Sequence, residues 1–127
     1  MAQQNERANA TPGRPVVLDP AVIDGLRELS DSSGPSLLEE LIAMFLEDTP
    51  KRLEDMRVGF ASGDYAVAAR AAHTLKSSAA NMGAAVLSAH CRAVEELVVG
   101  ERIDDLEILI QDCHEAFAAV KEALEAL

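Results

Sequence analysis

The sequence predicts an all-α protein: an up-and-down antiparallel four-helix bundle with a short additional N-terminal helix. Three observations support this fold class. The apolar residues are mostly Ala, Leu, Val and Ile, with one Tyr, three Phe and no Trp, a composition that favours closely packed helices. Four stretches repeat apolar residues at alternating spacings of three and four, as amphipathic helices do. At 127 residues the chain can bury one core, and no stretch alternates like a β-strand.

The N-terminal region is predicted to contain a tail and one short helix. Residues 1–16 are polar and interrupted by Pro and Gly, which is typical of a flexible tail, so the bundle is expected to occupy residues 17–127. Asp19 suits an N-cap and Pro20 the first helical position, and this helix is predicted to end near Leu29. Residues 30–35 then read as a loop. We expect the short helix to cover the bundle as a lid.

The first long helix is predicted to begin at a capping box, Ser36-Leu37-Leu38-Glu39, and to end at Ser62-Gly63. Its apolar pattern continues on both sides of Pro50, which predicts a kink there or, alternatively, two abutting helices. The apolar positions are Leu38, Leu41, Ile42, Phe45, Leu46, Leu53, Met56 and Phe60.

Three further amphipathic helices complete the bundle. The first follows Asp64, a suitable N-cap, and ends in a turn at Asn81-Met82-Gly83. The second is predicted from about Ala84 to Val98, with Gly100 breaking it, and the last carries a stripe from Ile103 to Leu127. The other inward positions are Tyr65, Ala68, Ala72, Leu75, Ala79, Met82, Leu87, Cys91, Val94, Leu106, Ile110, Cys113, Phe117, Val120 and Leu124.

Charge and composition exclude several classes of partner. A formal net charge of -11 argues against binding nucleic acid or an anionic membrane, because both attract clustered Lys and Arg. No apolar run reaches membrane-spanning length and the N-terminus lacks the apolar core of a secretory signal, so we expect a cytoplasmic protein. We also expect it to be a monomer. Cys91 and Cys113 form no CxxC pair and fall on apolar stripes, which favours buried thiols over a disulfide or a metal site.

The most informative stretch of the chain surrounds His73. At 100° per residue the buried stripe of its helix centres between Ala72 and Leu75, and His73 lies roughly 130° from that centre. Lys76 lies at the flank of the stripe, and Ser77 nearly opposite the core. The neighbours of His73 are mostly short (Ala69, Ser77 and Ala80), with Arg70 the one long side chain. A bare surface around one exposed imidazole indicates a functional site that another protein covers.

The residue types at this site suggest phosphoryl transfer. A neutral imidazole is a good nucleophile near neutral pH, so His73 can accept a phosphoryl group. Lys76, one turn further on, can offset the charge of the phosphoryl oxygens, and Ser77 can donate a weaker hydrogen bond. The chain has no Gly-rich phosphate loop and no kinase signature, which predicts a phosphocarrier without ATP-dependent kinase activity. It has no carboxylate cluster suited to magnesium, so the partner is expected to supply the metal.

This segment resembles the histidine-containing phosphotransfer (HPt) domain of two-component phosphorelays. The family reads H-x-L-K-G-S/A-S/A, then Gly-Ala, and the chain reads His73-x-Leu75-Lys76-Ser77-Ser78-Ala79, then Gly83-Ala84. The resemblance covers about residues 17–126. The flanking segments that also resemble the family are Phe45-Leu46-Glu47-Asp48-Thr49-Pro50, Gly63-Asp64-Tyr65, and Cys91 with Glu95-Glu96.

The resemblance implies that His73 is phosphorylated and that Lys76 contacts the phosphoryl group. It implies a four-helix bundle with no cofactor of its own. The implied partners are receiver domains of response regulators or hybrid sensor kinases, which bring the aspartate and Mg²⁺. Two positions depart from the family. Ser77 replaces a common Gly, and Glu95 stands where some members have Gln, which argues against a hydrogen bond from Glu95 to the imidazole.

Other readings of the sequence have weaker support. His90 and His114 lie beside apolar stripes and are expected to be helix-flank residues, and no HxxxH or HExxH spacing indicates zinc. Asp31-Ser32 is similar to the attachment serine of carrier proteins, but it falls in the predicted loop. The acidic pairs, including Glu95-Glu96, are expected to be solvated helix faces. The alternative function is a non-catalytic acidic helical adaptor or chaperone.

Overall fold

A computed structural model describes residues 17–33 and 37–127, which form five α-helices and one short 3-10 turn. Within these residues there is no β-strand. The helices are α1 (Pro20–Ser33), α2 (Leu37–Ser62), α3 (Tyr65–Asn81), α4 (Ala85–Val99) and α5 (Leu106–Glu125), with the 3-10 turn at Ile103–Asp105. Each of α2 to α5 packs on the next, and α5 returns to α2. Because short connections force neighbouring helices to run antiparallel, this ring is the predicted up-and-down bundle. The predicted tail, residues 1–16, lies outside the described residues.

The core is built from the predicted inward stripes, except that Leu127, at the end of the last stripe, is exposed. Nearly all of the buried side chains are aliphatic or small, as the composition indicated. Phe45 and Phe117 meet edge to face across α2 and α5, with ring centroids 6.0 Å apart. Cys91 and Cys113 are both buried and free, as predicted, and contact with Cys91 together with burial raises the pKa of the Cys113 thiol. Both thiols therefore act as small apolar core residues.

Helix α1 is longer than predicted. It continues to Ser33, so the loop prediction was wrong for residues 30–33; residues 34–36, including the proposed cap Ser36, lie outside the described part. The Ser30 side chain is buried and accepts a hydrogen bond of 2.6 Å from the backbone N–H of Leu38. Serine is common in loops, but Ser30 lies on α1. Its hydroxyl accepts from an N–H in the first turn of α2 that has no partner within its own helix.

Helix α1 covers one end of the bundle, as the lid prediction proposed. The backbone N–H of Asp19 donates to the carbonyl of Gly83 at 2.8 Å, in the turn between α3 and α4. A Cβ atom on Gly83 would approach Val22 to 3.1 Å, and Ile23 belongs to the core cluster. The lid is thus fastened to the end at which α3 stops and α4 starts.

Helix α2 runs without a break through Pro50, so the alternative of two abutting helices was wrong. Proline lacks the N–H that would bond the carbonyl of Leu46, which removes one hydrogen bond from the helix. Pro50 is exposed, whereas Thr49 and Leu53 on either side of it are buried. The pyrrolidine ring therefore faces solvent, and the buried face of α2 continues across it.

Helices α2 and α3 approach closely at Gly59. A Cβ atom at Gly59 would lie 2.9 Å from the backbone nitrogen of Ala68 and 2.9 Å from the carbonyl oxygen of Asp64. Both atoms are backbone and cannot move as a flexible side chain would. Glycine is therefore required at this buried position, and it sets the distance between the two helices.

Three helices end with the same backbone arrangement, the Schellman motif. After α2 and α3 the residue in the left-handed conformation is Gly63 (φ 78°) and Gly83 (φ 79°), respectively. After α4 it is Glu101 (φ 57°), with the Arg102 N–H bonded to the Leu97 carbonyl at 2.8 Å. The predicted helix breaker, Gly100, precedes that position and has an ordinary negative φ of -83°.

Replacing Glu101 by Gly is expected to stabilise the protein by about 1 kcal/mol, because a residue with a Cβ atom is strained at positive φ. The free energy of unfolding in urea measures the gain. Glu101→Ala is the matched control, since it removes the same charge from the end of α4 but keeps the strain. An equal gain in both variants would show that the charge, and not the conformation, is responsible.

Candidate functional site

Helix α3 directs His73 toward solvent because the face of the helix opposite His73 is buried in the core. Asp64 caps the helix, its carboxylate accepting from the Val67 N–H at 3.4 Å, as the sequence predicted. The inward residues have no accessible surface; they are Ala68, Ala72, Leu75 and Ala79. The His73 side chain is 62% exposed. The predicted outward placement of the imidazole is therefore confirmed.

Glu95 on α4 joins His73 and Lys76 into one cluster. One carboxylate oxygen lies 2.7 Å from Nδ1 of His73, and the other accepts a 2.7 Å hydrogen bond from Nζ of Lys76. Glu95 is 24% exposed and Lys76 is 29% exposed. The expectation that Glu95 makes no hydrogen bond to the imidazole was wrong. The assignment of Glu95 to a solvated helix face was also wrong. The carboxylate instead bridges the two residues at the centre of the candidate site.

The charge on Glu95 determines which ring nitrogen is free. The hydrogen bond from Lys76 lowers the pKa of Glu95; the hydrogen bond from His73 acts in the same direction, and partial burial opposes both. An ionised carboxylate only accepts hydrogen bonds, so Nδ1 of His73 carries the proton that it shares with Glu95. In the neutral ring the lone pair is then on Nε2. The cluster selects the nitrogen that can act as a nucleophile.

A side-chain-to-backbone hydrogen bond joins α4 to α3 beside this cluster. The hydroxyl of Ser88 donates to the carbonyl oxygen of Lys76 at 2.8 Å. Ser88 and Glu95 are seven residues apart on α4, and both contact α3, so they lie on the same edge of the helix. The packing of this edge of α4 on α3 therefore brings Glu95 opposite His73.

The surroundings of the imidazole are small, as the sequence predicted. Ala80 and Ser77 are exposed, Ala69 is half-buried, and Arg70 is exposed. The hydroxyl of Ser77 has no hydrogen-bond partner among the residues that the structure describes, so it is free to donate. Beside its hydrogen-bond partner Glu95, the His73 side chain remains 62% exposed.

Sequence analysis did not place Glu95 or Ser88 in the site, although a signal for Glu95 existed. His73 precedes Gly83 by ten residues, and Glu95 follows it by twelve. In an antiparallel helical hairpin, residues equally far from the turn are level with each other. The two counts differ by two residues, about 3 Å along the helix axis, so the flank position of Glu95 on α4 would have placed it within reach of His73.

The other histidines contribute nothing to this cluster. Nδ1 of His114 donates to the Ile110 carbonyl at 2.9 Å, a contact within one helix, and His90 lies half-buried between α4 and α5. Among residues 17–33 and 37–127 no three His, Cys, Asp or Glu side chains are grouped as metal ligands would be. No helix in the same residues is long and apolar enough to cross a membrane.

The Glu95 carboxylate is expected to make folding stability sensitive to acid. Its pKa is lowered in the folded state, so its contribution is present well above the ordinary value of 4.5 and is lost as pH falls through that value toward the lower pKa of the folded state. Urea unfolding of the wild type and of Glu95→Gln, measured from pH 7 to pH 3, should show a stability difference that shrinks only in the acidic part of this range. A constant difference would contradict an ionised Glu95 with a lowered pKa.

Comparisons with known proteins bear on the family and the fold of the chain. The sequence model described as the Hpt domain matches residues 40–127. The solved structure of histidine-containing phosphotransfer protein B (HptB) from Pseudomonas aeruginosa PAO1 is similar to this chain, with 25% sequence identity and a TM-score of 0.80. That match covers 92% of this chain and 95% of the other. No curated protein sequence matches significantly.

Proposed function

Because the chain belongs to the Hpt domain family, its role is phosphotransfer in phosphorelays, and we propose that His73 is the residue that carries the phosphoryl group. In this proposal His73 accepts the group from the aspartate of one receiver domain and passes it to the aspartate of another. The observation that supports it most is the exposed imidazole whose Nδ1 is bonded to Glu95 at 2.7 Å, because this leaves Nε2 as the nucleophile.

The transfer forms one bond and breaks one. The Nε2 lone pair attacks the phosphorus of the receiver's aspartyl phosphate, and an N–P bond forms while the acyl O–P bond breaks. The bonding electron pair leaves with the receiver's carboxylate. The ring retains its Nδ1 proton and becomes positively charged, and the Glu95 carboxylate faces that charge. The reverse reaction, onto a second receiver, follows the same steps backwards.

Lys76 supplies positive charge beside the transferred group. Its ammonium has three donors and uses one of them on Glu95, so others remain for the phosphoryl oxygens. Ser77 is on the exposed face one turn from His73 and can add a hydrogen bond. In this proposal the receiver contributes Mg²⁺ and the phosphorylated aspartate, and the chain contributes the nucleophile and one cation.

A transfer assay tests the function directly. The purified chain is mixed with a receiver labelled at its aspartate, and a second receiver is then added. The label should appear on the chain as an acid-labile, alkali-stable phosphate and should then move to the second receiver. ATP alone should leave the chain unlabelled. If no receiver of the same organism labels the wild-type chain, the relay role is wrong and the adaptor alternative is favoured.

A further inference from the structure

The cations that the structure describes divide into paired and unpaired sets. Nine of the eleven Lys and Arg residues lie in the described part, the others being Arg7 and Arg14. Six of the nine form ion pairs; they are Arg27, Arg52, Arg57, Lys76, Arg102 and Lys121. Within the same residues Lys51, Arg70 and Arg92 form none. With 22 acidic residues in the chain, an unpaired arginine is the exception.

Two of these three cations lie beside His73. Arg70 precedes His73 by three residues on α3 and is exposed, so the two side chains share a face. Arg92 lies between Ser88 and Glu95 on α4, at helical spacing from both, and both of those residues contact α3. Arg92 is exposed and therefore lies at the edge between α3 and α4. The imidazole thus has an unpaired guanidinium on each of the helices that build the site.

A third exposed side chain continues this edge. Val99 is four residues beyond Glu95 on α4 and is 81% exposed, the most exposed of the large apolar residues in the described part. Arg70, His73, Arg92 and Val99 together are called here the α3–α4 surface. It offers two free cations and one apolar contact around a nucleophile, in a protein that is acidic elsewhere.

We propose that Arg70 and Arg92 bind carboxylates on the docking face of the receiver, and so set the rate of encounter and the choice of receiver. This inference rests on the proposed function. A guanidinium holds a carboxylate through two parallel hydrogen bonds, and both arginines are available for that because no acid of the described chain occupies them. Lys76 is engaged with Glu95 and remains close to the reaction. Recognition and phosphoryl chemistry are therefore assigned to different cations.

The test compares two doubly substituted chains of equal net charge. Arg70→Gln with Arg92→Gln removes both docking cations, and Arg27→Gln with Lys121→Gln removes two paired cations from α1 and α5. Transfer from a labelled receiver is followed at several receiver and salt concentrations. With limiting receiver and low salt, the first chain should transfer about tenfold more slowly than the wild type and lose most of the salt dependence. Its rate at saturating receiver should change less than twofold.

The outcomes separate this inference from the function on which it rests. If the wild type transfers and the Arg70/Arg92 variant matches it, the docking role is wrong and the relay role stands. If the Arg27/Lys121 variant slows equally, net charge alone is responsible and the docking role is again wrong. An equal loss at limiting and at saturating receiver would place the arginines in the chemical step and overturn the assignment. If the wild type does not transfer, both proposals fail.

Discussion

His73→Gln is expected to abolish transfer from a phosphorylated receiver, with a loss of at least about a thousandfold, while leaving the fold intact. The amide of Gln has no nucleophilic lone pair comparable with that of Nε2, so no N–P bond can form. The imidazole is largely exposed and is not part of the core, so its removal creates no cavity. Labelling with a phosphorylated receiver measures the loss, and circular dichroism with urea unfolding measures the fold.

His90→Gln is the matched control for this experiment. It makes the same substitution on α4, at a half-buried histidine away from the Glu95 cluster, and should transfer at the wild-type rate. Label that persisted on His73→Gln would mean that another residue is the phosphoryl acceptor. The acid and alkali stability of that label would then distinguish a second histidine from a carboxylate.

Lys76→Ala is expected to slow transfer by about a hundredfold. A cation beside the phosphoryl group stabilises its negative charge in the transition state and lowers the barrier to transfer by a few kcal/mol. Its side chain is not part of the core, and it makes one side-chain hydrogen bond, to Glu95. The rate at saturating receiver measures the chemical step. The helical circular dichroism spectrum should be unchanged, and an unfolded variant would contradict the placement of Lys76 at the flank of the buried stripe.

A double-mutant cycle with Glu95→Gln shows where Lys76 acts. If Lys76 acts on the phosphoryl oxygens, its removal should cost nearly as much in the Glu95→Gln chain as in the wild type. If Lys76 acts only by holding Glu95, its removal should cost almost nothing once that carboxylate is an amide. The second result would overturn the phosphoryl contact and leave Lys76 as a positioning residue.

The sequence predicted the parts of this structure that follow from one helix at a time. The apolar stripe of α3 fixed which way His73 faces, because 100° per residue holds along any α-helix. The cap at Asp64 and the breaks at Gly63 and Gly83 follow from side-chain and backbone chemistry within a few residues. These features needed no knowledge of neighbouring helices.

The features that were missed depend on how helices meet. Glu95 bridges His73 and Lys76 only because the packing of α4 on α3 brings the three side chains together. In the sequence, Glu95 resembles any acidic residue on the flank of a helix. Ser30 resembled the start of a loop, but its hydroxyl is bonded to the first turn of the next helix. Local sequence propensity carries no information about a hydrogen-bond partner that lies on another helix.

The tight crossing at Gly59 has a consequence for the reactive imidazole. Because the Ala68 nitrogen and the Asp64 carbonyl oxygen leave no room for a Cβ atom at Gly59, this backbone contact helps to position the first turn of α3 against α2. His73 lies five residues beyond Ala68 on the same helix, so its position relative to α2 depends on that contact. Exchanges among the buried aliphatic residues should consequently leave the His73 side chain in place, whereas one added methyl at Gly59 would displace it.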